Sequence, residues 1–237
     1  MAPLADNRPR KPTKPPGLIA SLLWYWPWQL LAMVLVSLFL SILMEYAGML
    51  FIYPGAGASH SQQVMATELG YLSRDFRQSI LLSEPVVTIN AVLSVFWQWA
   101  VVDSGLQAWI NAPSSNGLGQ QIAQGLKDYC LAALFVTMTT LIRLCILLLS
   151  VPLFLMVSLV ALVEGLSRRD LRRYGAAYES SFVWHHARRL IKPAFTLPCL
   201  LYLSWPAAVY PNLLLLPGAL LLGVAISVST ASFKKYL

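Results

Sequence analysis

Apolar residues in this chain gather into long runs divided by short polar stretches. One run spans 28–53, a second 129–163, and two more, 194–210 and 213–233, lie either side of the turn Tyr210-Pro211-Asn212. A hydrocarbon core of about 30 Å takes roughly 20 helical residues at a rise of 1.5 Å each. The pattern therefore predicts an all-α, polytopic membrane protein with four transmembrane helices: 28–53, 129–163 and a helical hairpin over 194–233. The second run covers roughly 50 Å if wholly helical, longer than a bilayer core, and Pro152 is expected to kink it. Gly218, Gly223, Ala225, Ser227 and Ser229 on the last span suit close helix packing.

The intervening region, 54–128, is less apolar. Met65, Leu69, Leu72, Phe76 and Ile80 recur at spacings of three and four, which predicts an amphipathic helix over Ser61–Leu82 that Pro85 ends. Val86–Ile110 is apolar again, with Asn90, Gln98, Trp97, Trp99 and Trp109 mixed in. It either crosses the membrane or packs outside it, and charge decides between the two. Region 54–128 holds Arg74, Arg77 and Lys127 against Glu68, Asp75, Glu84, Asp103 and Asp128. The tail 1–27 carries Arg8, Arg10, Lys11 and Lys14, the loop 164–193 seven basic residues, and the end 234–237 two. Lys and Arg collect on the cytoplasmic side. Keeping 54–128 as an external helical region between the first and second spans puts all three basic segments, and both termini, in the cytoplasm.

The overall balance agrees: 57% of residues are hydrophobic and 11% charged, too few charges for an ordinary soluble domain. The net charge of +7 sits beside apolar runs, where it serves topology and contact with anionic lipid, so no direct nucleic-acid contact is expected. Prolines 3, 9, 12, 15 and 16 exclude a regular helix in the tail, and an aromatic cluster (Trp24, Tyr25, Trp26, Trp28) suits a membrane interface. The first apolar run is too long for a signal peptide and reads as an uncleaved anchor.

Chemistry-bearing motifs are few. Glu45 and Arg143 are the charges inside spans, and they are expected to form an intramembrane charge pair; a small transporter or channel using both is the rival reading. His185-His186 lacks further ligands at metal spacing, Cys130, Cys145 and Cys199 are scattered, and HExxH, GxSxG and Walker patterns are missing. No catalytic residue, metal or cofactor is expected, and the protein is read as not an enzyme.

The most specific stretch is Glu164–Lys192. Arg168, Arg169, Arg172 and Arg173 fall at i, i+1, i+4 and i+5 and form one basic helical face with Asp170 beside it; Gly175 ends that helix, and another restarts near Ser180. Topology alone needs basic residues but not the GAAYESSFVWHH sequence, which favours a docking surface. This loop and the ending SFKKYL resemble the membrane proteins of integrating conjugative elements and conjugative plasmids, a TraJ-like family. The resemblance implies a role in conjugative DNA transfer through type IV secretion. It implies residence in the bacterial inner membrane, with 54–128 periplasmic, and association with the TraD-like type IV coupling ATPase and other membrane proteins of the apparatus. A homo-oligomer is compatible with it. The residues that match its pattern are Arg168, Arg169, Asp170, Arg172, Arg173, Gly175, Glu179, Ser180, Ser181, Phe182 and His185, expected as a partner-binding site; Tyr178 and Trp184 read as local variations.

Overall fold

The computed structural model describes residues 26–54, 56, 58–75, 81, 83–111, 118–174 and 181–233. The regular elements described are all helices: α1 (Trp26–Phe51), α2 (Ser59–Asp75), α3 (Pro85–Trp97), α4 (Leu106–Asn111), α5 (Leu118–Leu149), α6 (Val151–Tyr174), α7 (Ser181–Ser204) and α8 (Pro211–Ala231). A π-helical stretch, Gln98–Asp103, continues α3. Gly105, at φ +76°, then lets the chain turn into α4.

α1 shows what solvent the fold is built for. Its buried positions include Ser37, Ser41 and Glu45, while Leu31, Leu35, Phe39 and Leu43 face outward. Water would penalise such a helix, and a hydrocarbon surround rewards it: apolar groups meet lipid, and polar ones find partners inside the bundle. Leu155, Leu159 and Val163 on α6 and Leu213, Leu220 and Val224 on α8 are likewise exposed. Among the described residues, four stretches are long and apolar enough to cross a membrane: Pro27–Phe51, Pro85–Asp103, Ala123–Arg172 and Pro211–Ala231.

That set differs in one member from the four spans expected above. Pro85–Asp103 qualifies by length and hydropathy, although the charge balance favours an external position for it. Stretch 194–210 does not qualify. Trp205 precedes Pro206, which disfavours helical backbone before it, and α7 stops at Ser204. The apolar half of α7 is therefore shorter than a span, and its other half carries Arg188, Arg189 and Lys192.

The long second run is two helices. Pro152 lacks an N–H and sits in the first turn of α6, where that donor has no intrahelical acceptor in any case. The break falls at Ser150, whose N–H is shared between the carbonyls of Ile146 (3.0 Å) and Leu147 (3.1 Å). The kink expected at Pro152 is thus a junction two residues earlier.

Region 54–128 shares its core with the rest of the molecule. Leu72 of α2 and Ile89 and Leu93 of α3 are buried in one cluster with Ile142 and Ile146 of α5, Tyr202 of α7 and Leu215 of α8. Trp97 stacks on Phe135 with ring centroids 6.3 Å apart. The amphipathic periodicity is realised in Met65, Leu69 and Leu72, whereas Phe76 and Ile80 lie outside the described residues.

α8 lies between α6 and α7, and glycines set its distance from both. Gly218 faces the ring of Pro198 on α7, Gly223 faces Val157 on α6, and Gly165 on α6 meets the backbone of Ser227. A side chain at any of these three would push the helices apart, which is how small residues support association without a hydrophobic drive. The rising contacts 157–223 and 165–227 make α6 and α8 parallel, and α7 returns antiparallel to α8.

Candidate functional site

Two polar assemblies stand out: a buried ion-pair node beside the α7–α8 connection, and a basic end formed by the C-terminal turns of α6 and the N-terminal turns of α7.

The node is built on Arg143 and Glu68, whose side chains are 1% and 0% exposed. The guanidinium donates to Glu68 Oε1 through Nε (3.0 Å) and Nη2 (2.7 Å). Its remaining donors reach the carbonyls of Trp205 (2.5 Å) and Ala207 (2.7 Å). These carbonyls follow the end of α7, where helix geometry no longer supplies partners, so Arg143 closes that end. Glu68 accepts from the Tyr202 hydroxyl (2.9 Å) and from the Val209 amide (3.4 Å). The Tyr202 ring also lies against the guanidinium, 5.5 Å from centroid to Cζ. One ion pair thus joins α2, α5, α7 and the 205–210 connection. A charge-assisted fork with every donor matched is the arrangement in which a desolvated pair is tolerable.

Glu45 belongs to a second network. His60 Nδ1 lies 3.0 Å from its Oε1, Ser61 Oγ donates to it at 2.9 Å, and the Tyr53 hydroxyl donates to Oε2 at 3.3 Å. Tyr53 reaches back over Gly48, where a Cβ would collide with its phenol ring. The expected direct pair of Glu45 with Arg143 is therefore replaced by two separate pairings. Both residues border one cavity of about 10 Å³, together with Ser41, Ser61 and Thr139, so they face each other across a gap. The physical reason is α2, which lies along α5 and delivers Glu68, His60 and Ser61 closer than either charge lies to the other.

At the basic end, Arg168 pairs with Glu164 one turn back, and Arg169 Nε lies 3.7 Å from Asp170 Oδ1. Arg169 Nε and Arg172 Nε are buried and have no hydrogen-bond partner among the described residues. Leu171 and Tyr174, 71% and 93% exposed, stand among these charges. Across the gap, Trp184 of α7 packs on His185 (4.7 Å) and Phe233 (6.2 Å), and Arg188 lies over its indole (5.3 Å). Arg173 continues α6, and Ser181 and Phe182 open α7; Gly175, Glu179 and Ser180 lie outside the described residues. The two helices expected around Gly175 are thus the ends of long helices that run out of the apolar bundle.

Sequence reasoning passed over Glu68, His60 and Tyr202. For Glu68 a signal existed: with Met65, Leu69 and Leu72 it completes the spacing i, i+3, i+4, i+7, a carboxylate in the middle of an apolar stripe. Among the described residues no group of three or more His, Cys, Asp or Glu side chains is placed to hold a metal ion.

The family model described as IncC plasmid conjugative DNA transfer protein DtrJ-like matches residues 52–234. The chain belongs to the DtrJ-like family. The match takes in the ion-pair node and the whole basic end, and it leaves out α1. Membership gives the protein a role in conjugative DNA transfer, and the four apolar helices associate it with a membrane. No curated protein and no solved structure matches this DtrJ-like chain.

Proposed function

We propose that this DtrJ-like protein is a non-enzymatic accessory subunit of the bacterial inner membrane that anchors or assists the type IV coupling ATPase. In this reading both termini and the 164–193 segment are cytoplasmic, in keeping with their Lys/Arg excess. The observation that carries the proposal is the basic end: the last turns of α6 carry Arg168, Arg169 and Arg172 around the exposed Leu171 and Tyr174, at the same end of the molecule as the start of α7. A surface that mixes cationic side chains with exposed aromatic and aliphatic groups has the composition of a protein contact rather than of a purely electrostatic anchor. The rival, a transporter working through Glu45 and Arg143, is not favoured, because Arg143 is held by Glu68 and carbonyl oxygens on a closed set of bonds.

The test is co-purification in mild detergent. Tagged wild type is expected to bring the coupling ATPase down. A variant with Arg168, Arg169, Arg172 and Arg173 all changed to Ala is expected to insert normally and to lose at least about tenfold of it, since each contact need contribute only a fraction of the 1.4 kcal/mol that a factor of ten represents. Recovery of the ATPase at wild-type level with the quadruple variant would overturn the docking role.

A further inference from the structure

Glu45 is the only carboxylic side chain on α1, and 2% of it is exposed. Among the described residues three side chains bond it, and two of them, Ser61 and Tyr53, offer neutral hydroxyls. The third is His60, whose Nδ1 approaches both carboxylate oxygens, at 3.0 and 3.3 Å. The imidazole also stacks on the Tyr53 ring, with centroids 4.3 Å apart. Arg143 borders the same small cavity but has nothing left for Glu45. Its N–H groups are taken by Glu68 and by the carbonyls of Leu203, Trp205 and Ala207, and its charge is matched by Glu68.

The charge balance therefore turns on one proton. With that proton in place, the Glu45–His60 and Glu68–Arg143 pairs are each neutral. Without it, Glu45 is a buried carboxylate that meets only neutral donors, a state that desolvation penalises heavily. Imidazole is the side chain that changes charge between about pH 5 and 8. A phenol keeps its proton well above that range. His60 is 29% exposed, so it can exchange the proton with the surroundings.

We infer that His60 and Glu45 share one proton that latches α2 to α1, and that the latch weakens as pH rises through the imidazole range. The closed junction holds the proton and the opened one releases it, so raising the pH favours opening. The effect reaches the ion-pair node, because α2 carries His60 and Ser61 in its first turn and Glu68 two turns further on. The latch goes beyond the docking role and does not depend on it, because it lies on α1 and α2, away from the basic end, and is tested on the purified chain alone.

The experiment is thermal unfolding of the purified full chain in mild detergent at about pH 6 and about pH 8.5, towards either end of the imidazole range. One proton released on opening shifts the equilibrium up to tenfold per pH unit. A tenfold shift amounts to roughly 3–6 °C in midpoint for a chain of this size, and wild type is expected to melt lower by about that much at the higher pH. His60→Lys puts a lasting cation beside Glu45, and Glu45→Gln removes the anion, so each is expected to lose the fall. His185 and His186 are common to all three proteins and cancel from the comparison. No fall in wild type, or an undiminished fall in either variant, would overturn the inference. Because the difference is read between two pH values of one protein, a variant of lower overall stability still gives the answer, and either variant decides it if the other fails to fold.

Discussion

Changing Arg143 to Met is expected to cost about 3–5 kcal/mol of stability, the penalty for leaving a buried charge without its partner. Glu68 would remain fully buried with only Tyr202 and the Val209 amide as donors, and the carbonyls of Trp205 and Ala207 would lose theirs. Because those carbonyls close the end of α7, the loss spreads to the α7–α8 connection and loosens α2 from α5. Glu68→Gln is expected to be damaging as well, since it leaves the guanidinium charged and uncompensated. The double variant is expected to fall well short of the sum, because each single change already destroys the shared interaction. Unfolding by titration with a denaturing detergent, run as a double-mutant cycle, measures this. Additive single effects would show that the pair is not the joint between α2 and α5.

Gly165→Val is expected to be the most damaging change at the α6–α8 contact. A Cβ there would stand 2.8 Å from the Ser227 carbonyl oxygen and 3.2 Å from its Cα, and backbone cannot swing aside as a side chain can. α6 and α8 must separate, with a cost of about 1–3 kcal/mol typical of overpacking. Gly125 provides the contrast. Nothing lies within 4 Å of a Cβ built on it, so Gly125→Ala is expected to stabilise α5 by about 0.5–1 kcal/mol through helix propensity alone. Opposite signs at two helical glycines in one thermal-unfolding series would confirm that close approach, not flexibility, fixes Gly165. The consequence reaches function, since Arg168 lies less than one turn beyond Gly165 and would move with α6.

Much of this architecture was legible in the chain. The apolar runs fixed where α1, the α5–α6 pair and α8 lie, because a membrane helix must be long and apolar to exist there at all. Pro152 announced the break between α5 and α6, and the conjugation-associated family was readable from the basic stretch after Val163. What was not legible was pairing across sequence distance. Arg143 and Glu68 are far apart in the chain, and nothing local says that a polar helix such as α2 lies along α5. The stripe of Ser37, Ser41 and Glu45 on α1, spaced by four, was a readable sign of a buried polar face that hydropathy averages conceal. Similarly, the apolar composition of 194–210 hid the end of α7, which is set by one proline and stabilised by an arginine from another helix.

The central claim is that the basic end of α6 and α7 meets the coupling ATPase while the buried node serves only to hold the frame. A photo-crosslinking amino acid placed at Tyr174, in cells carrying the transfer apparatus, tests it most directly. Irradiation is expected to give an adduct with the coupling ATPase from Tyr174 and none from Leu220, which faces outward from α8. No ATPase adduct from Tyr174, or equal adducts from both positions, would contradict the claim.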